Sequence, residues 1–64
     1  MLYSTKRVAD VIDEYIPNER YRQILKLRLC QKIPYETIGE KVGYSTQWCK
    51  DIVKRYKEDI FSLI

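Results

Sequence analysis

Val8, Val11, Ile12, Tyr15 and Ile16 recur at spacings of three and four, with Lys6, Arg7, Asp10, Asp13 and Glu14 between them. That is the period of an amphipathic helix with one apolar stripe. Ser4 or Thr5 is suited to cap its start, and Pro17 disfavours helical geometry in the residue before it, so the helix should cover residues 5–16. Asn18 caps a second helix, with Glu19 near the positive end of its dipole. Tyr21, Ile24, Leu25, Leu27, Leu29 and Cys30 surround much of this helix, as expected of the central member of a small bundle. Lys32-Ile33-Pro34 breaks it, which sets its span at 19–31.

Pro34 suits the first turn of a short third helix over 35–42, whose Tyr35, Ile38 and Val42 repeat at three and four and which stops at Gly43. Ser45 is placed to cap a fourth helix over 46–60, with Cys49, Ile52, Val53, Tyr56 and Ile60 as its core stripe. No strand-like alternation, repeat or low-complexity run interrupts this pattern. The expected fold is all-α, a single four-helix domain spanning residues 1–64.

Two glycines sharpen the picture. Gly43 supplies a left-handed reversal between the third and fourth helices, and Gly39, one turn earlier, costs a helix about 1 kcal/mol relative to alanine unless close packing requires it. Two short helices joined by such a corner predict a helix-turn-helix over 35–56, with a recognition helix beginning just after Ser45. On a helical wheel, Gln47, Lys50, Asp51 and Lys54 lie opposite the core stripe. Thr46, Gln47, Lys50 and Asp51 are the expected base-facing residues, glutamine matching the paired donor and acceptor of adenine. For Asp51 an intrahelical pair with Lys54 or Arg55 is favoured over a cytosine contact. Tyr35, Thr37, Ser45, Lys54, Arg55 and Lys57 are the expected contacts to the DNA backbone. Trp48, at the margin of the stripe, is expected to pack against the third helix. Tyr15, Tyr21 and Tyr56 are expected in the core with hydroxyls at the surface, in preference to a base-stacking platform.

Charge changes the weighting. Twelve Lys and Arg oppose nine Asp and Glu, for a net charge of +3, and residues 41–57 hold Lys41, Lys50, Lys54, Arg55 and Lys57 against Asp51 alone. That local field favours a polyanion or an acidic protein surface. The chain has no histidine, and Cys30 and Cys49 do not form a CxxC pair, so neither a metal site nor another cofactor is expected. Both cysteines read as reduced core thiols. Scattered carboxylates and thiols without an activating base argue against an enzyme. With neither a signal-like N-terminus nor an apolar run of membrane-spanning length, the expected location is cytoplasmic, with no membrane contact.

From Glu19 onward, the stretches ERYRQILKLRL (19–29) and IPYETIGEKVGYS (33–45) resemble the fourth region of sigma-70-type factors and small phage regulators of similar build. The resemblance covers about two-thirds of the chain. It implies packed helices whose last member enters a major groove, with Thr46, Gln47, Lys50 and Asp51 in the base-facing places. Pro34, Trp48 and Cys49 depart from the family pattern. Sixty-four residues leave no room for promoter-melting regions, so a phage or mobile-element transcription regulator acting on double-stranded DNA is expected rather than a complete initiation factor. The alternative is a module that borrows this fold to engage host RNA polymerase or another regulator, motivated by Asp51 and the apolar tail Ile60, Phe61, Leu63 and Ile64. That tail is rather more expected to cover the first helix. One small helix-turn-helix contacts few base pairs, so a homodimer through helix one or the tail is also expected.

Overall fold

The computed structural model describes residues 4–64, and among these there are four helices and no strand. Helix α1 (Thr5–Tyr15) is capped by Ser4, whose hydroxyl accepts from the Arg7 amide at 3.1 Å, and it ends at Ile16 in extended geometry before Pro17. Helix α2 (Glu19–Leu25) begins at Asn18, whose side-chain carbonyl accepts from the Tyr21 amide at 3.1 Å. It runs on into a wider π-helical turn, Lys26–Cys30, where the Gln31 amide reaches back five residues to the Lys26 carbonyl at 3.3 Å. Lys32 then takes φ 56°, the left-handed region that side chains other than glycine rarely occupy, and redirects the chain toward Pro34.

Helices α3 (Tyr35–Val42) and α4 (Thr46–Ser62) follow with three residues between them. Pro34 is the extended residue ahead of α3, with ψ 146°, rather than part of its first turn. Helix α4 runs two residues beyond the expected end at position 60. Segment α2, with its π turn, touches α1, α3 and α4, the central position its encircling apolar residues predict.

The core is built from Val8, Val11, Ile12 and Ile16 of the first segment, Ile24 and Leu25 of α2, Ile38 and Val42 of α3, and Cys49, Ile52, Val53 and Ile60 of α4. No polar or charged side chain is buried among the described residues, so every charge is left to solvent or to surface partners. Two expected core residues lie nearer the surface. Tyr15 is 43% exposed, its hydroxyl donating to Asp59 at 3.3 Å and tying α1 to α4 at the surface. Cys30 is half-buried, its thiol 3.7 Å from the Thr5 carbonyl, while Tyr21 and Tyr56 are half-buried against the core, which suits rings expected to carry their hydroxyls to the surface. Tyr15 and Cys30 each bring a polar atom to a partner on another helix, which a place deep in the apolar core would deny them.

The tail divides in the same way. Ile60 is fully buried, Phe61 and Ile64 are half-buried, and Leu63 is 50% exposed beside Arg7, Val11, Glu14 and Tyr15 of α1. The end of α4 therefore covers helix α1, as expected. No helix among the described residues is long and apolar enough to cross a membrane.

Candidate nucleic-acid interface

The corner between α3 and α4 is closed by backbone. Gly43, at φ 81° and ψ 23°, reverses the chain, and the Gly39 carbonyl accepts from both the Gly43 amide at 2.8 Å and the Tyr44 amide at 3.1 Å. A methyl group on Gly39 would stand 2.6 Å from the Tyr44 carbonyl oxygen, so the missing side chain is what lets the connector fold back over α3. Ser45 then caps α4, accepting from the Trp48 amide at 3.1 Å.

A residue outside the sequence expectations locks this corner. Arg20 of α2 donates from Nη1 to the Val42 carbonyl at 2.9 Å and lies 5.6 Å from the centre of the Tyr44 ring. The last turn of α3 gains a cation where its dipole is negative. At the other end of α3, Arg28 lies 4.4 Å from the centre of the Tyr35 ring and donates to the Ile33 carbonyl at 3.3 Å. No local spacing marks either arginine, because each acts on a residue outside its own helix.

From this corner α4 presents Gln47, Lys50, Asp51, Lys54 and Lys57 to solvent along one side, while Cys49, Ile52 and Val53 face the core. Arg55 is exposed on the flank of that side; Ser45 is exposed at its head, and Thr46 is half-buried there. Tyr35 and Thr37, in the first turn of α3, are half-buried. Asp51 differs from expectation: its Oδ1 accepts from Gln47 Nε2 at 3.0 Å, one turn back, rather than pairing with Lys54 or Arg55. Arg55 is turned instead toward the Tyr56 ring, 5.9 Å from its centre. The lysines on this face make no ion pair; among the described residues the one such pair is Lys26–Asp13, joining α1 to the π turn.

Trp48 also departs from expectation. It is 42% exposed, and its aromatic neighbours are Tyr21 of α2, edge-on at 6.4 Å between centroids, and Tyr44 of the connector at 6.5 Å. A hollow of about 480 Å³ lies between α2 and α3 and includes no residue of α4. It is open, and no cluster of catalytic or metal-ligating groups lines it. Both thiols are free, and burial pushes the pKa of each above the usual cysteine value, so neither favours the thiolate.

No family model, curated protein or solved structure matches the chain, and what this face does must rest on its own chemistry.

Proposed function

We propose that the chain is a sequence-reading, duplex-DNA-binding transcription regulator in which α3 and α4 act as a helix-turn-helix and α4 lies in the major groove. The observation that carries the reading is the exposed side of α4, where Lys50, Lys54 and Lys57 stand unpaired beside Gln47 just after a tight, glycine-closed corner. Unpaired lysines on a helix that leaves such a corner suit a polyanion.

The Gln47–Asp51 contact fits this role. A glutamine amide has two donor hydrogens and an acceptor oxygen, and Asp51 engages one hydrogen. The other hydrogen and the oxygen are what adenine requires, so toward the groove Asp51 acts by orienting Gln47. Thr46 and Lys50 flank that amide. Tyr35, Thr37, Ser45, Lys54, Arg55 and Lys57 hold the phosphates on either side. The resemblance to sigma region 4 supports a regulator that works beside RNA polymerase in the cytoplasm, and two copies would extend the short stretch one α4 reads.

The test is a titration of duplexes selected from a random library. The double substitution Gln47→Ala, Lys50→Ala should lower affinity for the selected sequence at least tenfold while affinity for unselected duplex changes far less. Equal losses on both duplexes would remove the base-reading assignment.

A further inference from the structure

A continuous strip of cations and rings runs beside the exposed side of α4. Arg20 lies over Tyr44, Tyr44 meets Trp48, Trp48 meets Tyr21, Tyr21 meets Tyr56 at 6.0 Å between centroids, and Arg55 lies over Tyr56. The strip draws on α2, the connector and α4, with an arginine at each end. In its middle is a notch of about 140 Å³ walled by Tyr21, Trp48 and Tyr56, floored by Ile52 and rimmed by Asp51 and Arg55. A cavity of roughly 150 Å³ takes one six-membered ring, so the notch is sized for a single planar group and not for a larger ligand.

We propose that this notch receives one unstacked nucleobase of the bound DNA. The inference rests on the DNA-binding reading and extends it from paired to locally unpaired substrate. Three observations converge on that occupant. The walls are aromatic, and rings accept any base by its π-face. Arg55 and the lysines of α4 supply positive charge to the strand that carries the base. Asp51 has one carboxylate oxygen engaged by Gln47, which leaves the other to accept from an exocyclic amino group. The notch also adjoins the proposed base-reading side, since Asp51 belongs to both. A nucleotide that leaves the stack beside the groove therefore has a short path into it.

Trp48 is the only tryptophan in the chain, so its emission reports on the notch directly. The experiment compares three labelled DNAs: a fully paired duplex, the same duplex with one unpaired nucleotide, and a single-stranded oligonucleotide. Anisotropy gives affinity and Trp48 emission gives occupancy. The unpaired nucleotide should tighten binding about tenfold and quench Trp48, whereas the paired duplex should bind with little change in emission. Trp48→Leu, at a half-exposed position, should keep the affinity for paired duplex and abolish the preference; Tyr21→Leu, checked for folding by circular dichroism, should do the same. Equal affinity for paired and interrupted duplexes overturns the notch while leaving the major-groove reading in place. Quenching by single strands without binding of paired duplex supports the notch and overturns the major-groove reading. Binding of none of the three DNAs overturns both.

Discussion

A methyl group at position 39 would have to displace a backbone carbonyl, that of Tyr44, which Gly39 approaches more closely than any side-chain carbon tolerates. Backbone gives way less readily than the far end of a side chain, and overpacking of this kind costs about 1–3 kcal/mol. Alanine returns about 1 kcal/mol through its better helix propensity. Gly39→Ala should therefore lower stability by up to about 2 kcal/mol, seen as a drop of up to about 16 °C in melting temperature for a domain of this size. Gly43→Ala tests a different cause. The nearest atom to its added carbon is Arg20 Nη1 at 3.6 Å, an ordinary contact, so the cost of about 1 kcal/mol comes from φ 81° alone. Gly43→Asn should recover part of that loss, because asparagine tolerates the left-handed region, whereas no residue other than glycine should rescue position 39.

Tyr15 also acts at the level of a single residue, through pH. The Asp59 carboxylate, facing its hydroxyl at the surface, pushes the phenol above the ordinary value of 10.0, with some desolvation added. A raised folded-state value means that the neutral phenol is the favoured form in the native protein. The contribution is complete below pH 10 and is lost as pH rises through the raised value. Urea midpoints measured at pH 8 and pH 11 should fall further for the native chain than for Tyr15→Phe, which lacks the ionising group. An identical fall in both would show that the Tyr15–Asp59 contact carries no pH dependence.

Among the elements, helices whose starts are set by local chemistry were legible in the sequence. Ser4, Asn18 and Ser45 each accept a hydrogen bond from the amide three residues on, and apolar spacing placed α1, α3 and the head of α4 within a residue or two. The π turn over Lys26–Cys30 and the positive φ at Lys32 had no such signal, since no glycine or proline stands within residues 26–32 to mark them. The aromatic strip was hidden for a related reason. Tyr21 and Trp48 are 27 positions apart, and only the packing of α2 against α4 brings them together. The partner of Asp51 within α4 was not legible, because charges at i+3 and i+4 compete with an amide at i−4, and Arg55 has an aromatic face to occupy. Arg20 is the clearest case of an element fixed from outside. It holds the C-terminal carbonyl of α3 from α2, with no covalent neighbour in common. Arg20→Met keeps much of the aliphatic stem and removes the donor. It should cost about 1 kcal/mol in thermal stability and should weaken DNA affinity by more than that loss explains, since the corner that aims α4 relaxes. Amide exchange at Gly43 and Tyr44 should speed up before exchange in the core of α1 does.

At the scale of the whole molecule, a 64-residue chain buries a thin core and sends its charge to the surface, so electrostatics are expected to govern its encounter with a partner. Binding to DNA releases condensed counterions, and the slope of log affinity against log salt counts phosphate contacts at about 0.9 per contact. Lys54, Arg55 and Lys57 are all exposed, and none takes part in an ion pair that would be lost on substitution. Replacing the three together with alanine should flatten the salt slope by about 2–3 and weaken binding to selected and unselected duplexes alike. Gln47→Ala, Lys50→Ala should behave differently, with a slope change of no more than about 1 and a loss of selectivity. The two sets of variants thus separate grip from reading on one helix. A triple variant with an unchanged slope would mean that these cations face away from bound DNA, and α4 would then have to approach a partner by another side.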